Sequence, residues 1–580
     1  MTPTLTISSN VIDRLQHLNS KTTGRLYGVM YDNALTVLTF AVNVSQDEEC
    51  IVETATLQLN MPVEIDLCGV LFIGECEEAI PGAFKDIDVT DNPLLIKYSL
   101  KDANVQAYYY VHEMLQPAAT VQIISEEDIW ERFSYIRVQT CFPIVTTRNE
   151  IVKAIQETRK KISSGNVAFQ FTKSNVYLLG NDSDCKKVSI KELAYSSREG
   201  FNGNQKNPLI KGVPQVVDVV RANMLTGMSR EKLTETSLKC APVLHHIKRP
   251  FESVQFDLHV DALSIVGQSV TAAQLYSILV ESVCRNIWLI ERSVLRQTEE
   301  GDNLRLPIPL HFKPRACGHL MTVAYPAGTP DLELGEYRKS LHKVLALDPT
   351  RPCFRRGNAV KFLSDLKTNE PLLNPHAAIA AAPQADGKVV TVDGLYSYHH
   401  YMQDNFDDNG WGCAYRSLQT IVSWYRLQGY TEKEIPSHRD IQKCLVEIGD
   451  KSASFVGSRQ WIGSTEVGFV LESLLGVTVR VLCASNGAEM ADLASDLAHH
   501  FETQGTPVMI GGGVLAHTIL GISYNETSDD VKYLILDPHY TGPEVLSTIT
   551  NKGWCGWKGK DFWKKDAFYN MCLPQRPISI

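Results

Sequence analysis

Four residues of this chain have the types and spacing for covalent chemistry: Cys413, His517, Asp537 and His539. Cys413 follows Asn409-Gly410-Trp411-Gly412. After it, Ala414, Leu418, Ile421, Val422 and Tyr425 recur with helical period on one face. Loop glycines running into a helix put Cys413 at a helix N-terminus, where free N–H groups and the helix dipole favour a thiolate. A thiolate nucleophile needs a base, and the base needs an orienting group. Residues 531–536 read as an apolar strand that Pro538 stops, so Asp537 and His539 fall at i and i+2 of an extended segment and share a face. His517, which opens a strand after Gly511-Gly512-Gly513, is a second candidate base, and spacing leaves the two open. Acyl transfer also needs a donor to the oxyanion. The N–H of Cys413 is one. Tyr398, Tyr401, Asn405 and Asn409 offer side chains just upstream, and spacing prefers none of them.

The elements that must hold these residues sit in a long chain. At roughly 100–200 residues per domain, 580 residues make about three domains. With 44% apolar and 21% charged residues, the composition excludes a disordered chain, a collagen and a membrane channel. The net charge of −10 speaks against direct nucleic-acid binding, which favours a basic face. The 14 cysteines include no Cys-x-x-Cys pair, so reduced thiols in the cytosol are expected and no metal site or cofactor is. No run reaches the ~18–20 apolar residues that cross a bilayer, and the first ten residues lack the pattern of a signal peptide.

The expected fold class is α+β in four segments. Residues 1–145 form an N-terminal α+β interaction domain, with a helix over 11–18, a hairpin of strands 24–31 and 35–44 around Asp32-Asn33, and a buried strand over 67–73. That order suggests the scaffold of the MPN metalloprotease-like domains. The segment holds only His17 and His112 and no His-x-His, so no metal site goes with it. Residues 146–367 form a second α+β domain, with helices over 149–163 and 271–295, strands over 167–171 and 174–179, and a loose polar stretch over 196–211. Residues 368–388, with Pro371, Pro375, Pro383 and an alanine run, read as a linker. Six of the eight tryptophans lie beyond it, which marks 389–580 as a separate domain, and Cys413, His517, Asp537 and His539 make it the expected catalytic one.

At these residues the chain resembles the ubiquitin-fold-modifier-specific proteases of the longer, second type. The matching stretches are 398–404, 407–417, 455–464, 511–521, 536–542 and 553–558, with a looser match over 146–365 that includes 324–330. The resemblance implies a papain-like cysteine protease domain with the order Cys, Asp, His. It makes Cys413 the nucleophile, His539 the base and acid, Asp537 its orienting group and Tyr401 the oxyanion donor, and it leaves His517 a supporting role at most. It implies cleavage after the C-terminal glycine of the modifier, in precursor trimming and in release from substrate lysines. Trp411, Gln460 and Trp461 are then candidate walls of a slot for the glycine tail. The longer members imply a cytoplasmic enzyme drawn to the endoplasmic reticulum and ribosome-linked conjugates, with a docking partner bound through 1–365. Two rivals stand beside this. Autophagins share a Gly-Trp-Gly-Cys start and an Asp-Pro-His end, although Ala414-Tyr415-Arg416 and the Tyr398–Tyr401 context depart from them. A scaffold that recruits partners through 1–365 is the other.

Overall fold

The structure is a computed structural model and describes residues 3–578 except 45–49, 53, 75–79, 85–86, 88–91, 172–175, 181–186, 191–192, 194–215, 227–252, 301–303, 366–369, 380–387 and 526–529. The polar stretch expected over 196–211 lies outside the described residues. The chain forms two compact units, one of residues 1–204 and 218–349, the other of 205–217 and 350–580.

In the first unit, eight strands form one sheet, in the order 114–117, 104–111, 94–99, 66–73, 22–31, 34–42, 4–8 and 121–124. Its central hairpin closes at Asp32 and Asn33, both with positive φ (50° and 59°), the two-residue turn whose twist suits antiparallel strands. The helix Ser9–Gln16 lays Val11 and Leu15 on this sheet beside Leu35, Val37 and Leu71. A second, five-stranded sheet is covered by the helices Ile151–Ser163 and Ala272–Glu300. Ile155, Leu275, Leu279, Val283 and Ile287 share a core with Ile136, Val138 and Phe169. The expected break after residue 145 falls near the end of the strand Phe133–Thr146, which pairs along its whole length with Val254–Gly267. The chain therefore enters the second sheet at Phe133. Val63 also joins that strand partner, donating to Leu263 O at 3.1 Å and accepting from Ile265 N at 3.0 Å, so the first expected segment and most of the second, up to residue 349 apart from 205–217, lie within one unit.

The second unit is built on a seven-stranded antiparallel sheet, ordered 479–484, 569–574, 508–512, 515–524, 531–536 and 555–559, with 388–391 pairing on 515–524. Successive side chains of a strand point to opposite faces. Met509, Leu534, Leu536 and Cys572 accordingly enter the core beneath the helix Cys413–Leu427, while Ile510, Tyr533, Ile535, Met571 and Leu573 enter the one beneath Ala494–Thr503. Both faces are covered, so these strands read as continuous apolar runs rather than alternating ones.

The helix Cys413–Leu427 differs from its sequence pattern. It is buried on every side from Ala414 to Tyr425, and the polar Arg416, Ser417, Gln419, Thr420 and Ser423 are buried with the rest. Such a helix is the middle of a core, not a surface helix with one apolar face. Residues 370–379, inside the expected linker, are also packed down. Leu373 bridges Ser397, Leu372 O accepts from Tyr398 N at 2.8 Å, and Leu372 and Ile379 lie against the catalytic core.

Candidate active site

Three segments of the second unit meet at one point. The first is the turn 397–405, which carries Tyr401. The second is the loop 406–412, which ends at Cys413, the first residue of its helix. The third is the turn that follows the strand Val531–Leu536, which carries Asp537 and His539. Tyr401 N donates to Pro538 O at 3.0 Å, and Tyr398 OH donates to Asp537 O, so the first segment is tied to the third through its backbone.

Asp537 and His539 meet in a way that differs from the extended spacing. Residues 538 and 539 form a turn in which Asp537 Oδ1 accepts from His539 N at 3.0 Å and from His539 Nδ1 at 2.6 Å. An aspartate bonding the backbone two residues on is an Asx-turn, and here it also fixes the ring. With Nδ1–H spent on the carboxylate, His539 Nε2 is the free nitrogen. It is buried without an oxygen or nitrogen partner, and it faces Cys413 Sγ.

Burial opposes ionisation of the Cys413 thiol. The hydrogen bond and charge of His539, the Tyr401 hydroxyl and Ala516 N–H outweigh it and hold the thiol below its ordinary value. Burial likewise disfavours the imidazolium of His539, but Asp537 and Cys413 raise it to about 9. Both shifts run toward a thiolate–imidazolium pair. Tyr401 stands edge-on to the His539 ring, 5.3 Å between centroids at 89°. Its hydroxyl lies against both Cys413 Sγ and Cys413 N–H, and burial, then the thiolate, pushes its ionisation far up. A neutral phenol and a helix-terminal N–H therefore converge beside the sulfur.

His517 sits behind this pair. Its Nε2 is 3.9 Å from Asp537 Oδ2 and its ring 5.3 Å from that of His539, and burial lowers it to about 4, so it is neutral. His517, Asp537 and His539 form, among the described residues, a group of ligating atoms within 4.8 Å of one another, but Asp537 Oδ1 and His539 Nδ1 are already spent on each other.

A groove of about 280 Å³ runs past Cys413 between Trp411, Trp461, Gly511, Gly512 and Val514. Trp411 is both wall and core, since it is buried and packs edge-on to Phe406, Tyr415 and His438. Trp461 is 57% exposed, with Nε1 donating to Gly410 O at 3.3 Å. Gln460 does not line the groove; its carbonyl accepts from Tyr415 OH at 2.9 Å and so fixes the loop behind Trp461. Glycines on the opposite side let a peptide backbone approach closely.

Asp408 and Arg416 escaped the reading of the sequence. Asp408 is fully buried. Its Oδ1 accepts from Met402 N at 2.8 Å, and its Oδ2 accepts from Arg416 Nε at 2.6 Å and His438 Nε2 at 3.0 Å. Its backbone oxygen accepts from Trp411 N and Gly412 N. One residue thus fixes the neighbour of Tyr401 and the neighbour of Cys413. Gly412 is required there, because a Cβ would lie 2.5 Å from Asp408 Oδ2. The available signal was an arginine inside an otherwise apolar helical stretch, which demands a buried anion.

Comparison with known proteins places the whole chain. Residues 387–572 match the model of peptidase family C78, 152–367 that of the Ubiquitin-fold modifier 1 specific protease 2 N-terminal region, and 1–129 that of the insect UFM1-specific protease N-terminal MPN-like domain. A probable Ufm1-specific protease 2 of Drosophila pseudoobscura pseudoobscura is 38% identical over 616 residues, covering 100% of both chains. The Homo sapiens Ufm1-specific protease 2 is 42% identical over 454 residues, covering 75% of this chain and 95% of the relative. The crystal structure of UfSP from C. elegans superposes with a TM-score of 0.70 at 26% identity, covering 100% of both chains. The first segment is MPN-like, the C-terminal one is a C78 cysteine peptidase, and the chain belongs to the Ufm1-specific protease 2 family.

Proposed function

We propose that the chain cleaves after the C-terminal glycine of the ubiquitin-fold modifier, both in the precursor and in conjugates linked to lysine. Cys413 thiolate attacks the glycine carbonyl carbon, and the C–S bond forms as the carbonyl π electrons move to oxygen. Tyr401 OH and Cys413 N–H donate to that oxyanion. His539 gives its Nε2 proton to the leaving amine, the C–N bond breaks, and a thioester remains. His539, now neutral and held by Asp537, takes one proton from water, whose oxygen attacks the thioester carbon; the C–S bond breaks, freeing the thiolate and the glycine carboxylic acid, which loses its proton to solvent. The observation that carries this reading is the single point at which the Cys413 thiol, His539 and the Tyr401 hydroxyl meet, beside a groove flanked by glycine. Trp411 and Trp461 are its walls, and the lack of a side chain on the terminal glycine is what the narrow end selects.

The relatives matched along the chain are Ufm1-specific proteases, so the autophagin alternative is not favoured. The test offers purified protein the ubiquitin-fold modifier and an autophagy modifier, each with a C-terminal extension. Cleavage of the first and not the second is expected, with Cys413→Ser inactive; cleavage of the autophagy modifier alone rejects the reading. Among the described residues no helix is long and apolar enough to cross a membrane. Work on ribosome-linked conjugates at the endoplasmic reticulum then calls for a docking partner, which we assign to 1–365. Cell fractionation of the full chain with surface substitutions in that region tests this, with loss from the membrane fraction expected.

A further inference from the structure

His400 carries a second feature of the site. It is 1% exposed, and both of its ring nitrogens face acceptors. Nδ1 lies 3.0 Å from Tyr401 O and 3.1 Å from Tyr540 O, and Nε2 lies 2.8 Å from Glu544 Oε1. A neutral imidazole has one N–H and one lone pair, so one of these sides would meet lone pair with lone pair. Only the doubly protonated ring satisfies all three oxygens. Glu544 is the matching anion. Burial opposes its charge, but His400 and the Gln403 amide, which donates at 2.6 Å, hold it below the usual carboxylate range. Leu372 N adds a third bond at 3.4 Å.

The two carbonyls that share Nδ1–H belong to the segments that make the site. One is that of Tyr401 itself, and the other follows His539 directly. We propose that His400, paired with Glu544, is a positioning residue that clamps the oxyanion-donor segment to the His539 turn. The inference rests on the proposed mechanism and deepens it. The other groups facing His400 do not supply this partner. Tyr398 and Tyr540 pack on the ring with centroids 4.9 Å away, and burial keeps both phenols neutral. His399 is kept neutral by burial, lowered to about 3, and bonds Ser397 Oγ at 2.9 Å. Asp404, on the rim of the adjoining cavity, pairs instead with Arg416 at 3.1 Å. Without the His400 ring the carbonyls of Tyr401 and Tyr540 and the Glu544 carboxylate lose the donor that joins them, and the two segments part.

The test uses the full-length protein and the ubiquitin-fold modifier carrying a coumarin amide on its terminal glycine. Glu544→Gln keeps the size of the side chain and removes the carboxylate that faces His400 Nε2; it is expected to lower kcat by about 10-fold, with KM changed less than about threefold. His400→Gln is expected to cost about 10²-fold in kcat, the scale of an ångström-level misplacement. Alkylation of Cys413 by iodoacetamide, followed on the Cys413 peptide by mass spectrometry, needs no modifier. A slower Cys413 reaction in His400→Gln supports the clamp even if the modifier is not cleaved, in which case the functional reading fails alone. A kcat for Glu544→Gln within about twofold of the unaltered protein would overturn the clamp. So would an unchanged alkylation rate in a folded His400→Gln. If His400→Gln does not fold by circular dichroism, Glu544→Gln decides.

Discussion

Asp408→Asn is the substitution that most directly tests how the site is held. Asn keeps the shape and can still accept from Met402 N through Oδ1. It puts an amide NH₂ where Oδ2 receives Arg416 Nε at 2.6 Å and His438 Nε2 at 3.0 Å. Two donors then face a donor. Arg416, 1% exposed, loses its buried counterion and keeps only the exposed Asp404 carboxylate at 3.1 Å, the Gln419 side chain and Gln403 O. Breaking a buried pair costs about 3–5 kcal/mol. The retained Asp404 contact reduces this to roughly 2–4 kcal/mol, which at about 2–4 °C per kcal/mol for a unit of this size lowers Tm by about 5–15 °C. Catalysis should suffer beyond stability, because a shift of residue 408 passes through its side chain to Met402, next to Tyr401, and through its backbone oxygen to Gly412, next to Cys413. At a temperature where the variant is fully folded, kcat should drop about 10²-fold. Circular-dichroism melts and hydrolysis of the modifier–coumarin amide read the two effects separately. A Tm within about 2 °C of the original protein, together with kcat within about twofold, would refute the reasoning.

The pH–rate profile follows from the Cys413–His539 pair. Activity should rise as the lowered thiol ionises and fall as pH climbs through about 9, where His539 loses its proton; Asp537→Asn should move that fall to lower pH. His539→Ala should reduce kcat by about 10³-fold or more, whereas His517→Ala, 3.9 Å from Asp537 and neutral, should retain at least about a tenth of it. The reverse order in steady-state assays would assign the base to His517. Tyr401→Phe should cost about 10²-fold in kcat with little change in KM, the signature of a lost oxyanion donor. Trp461→Ala should raise KM more than it lowers kcat if Trp461 is a wall of the groove, and an effect confined to kcat would remove it from that role.

Much of this was legible before any coordinates. Loop glycines followed by helical periodicity put Cys413 on the first turn of a helix, and the structure has it at the first helical residue. The turn dipeptide Asp32-Asn33 marked its hairpin, and helices appear at Ser9–Gln16, Ile151–Ser163 and Ala272–Glu300, near the expected 11–18, 149–163 and 271–295. Such features are local, set by a few adjacent residues. Domain limits were less legible, because a strand joins a sheet through partners far along the chain. Phe133–Thr146 looks like the end of one segment, yet it belongs to the sheet of the next. Residues 370–379 look like a linker by composition, yet their backbone is bonded to the loop of Tyr398.

The sequence by itself determined most of the inventory of the site: a cysteine at a helix start, an aspartate and a histidine two residues apart, a rival histidine at 517, and a set of upstream donors from which only the family resemblance singles out Tyr401. Tertiary structure decided which histidine faces the sulfur. It also decided that an Asx-turn, not an extended strand, aims that histidine, and that Asp408, Arg416, His400 and Glu544 fasten the three segments together. The physical reason is the range of the interactions. Propensity and capping act over a few residues, whereas a buried polar group is tolerated only where the fold delivers its partners, and two of those of His400, Tyr540 O and Glu544, come from a turn some 140 residues away.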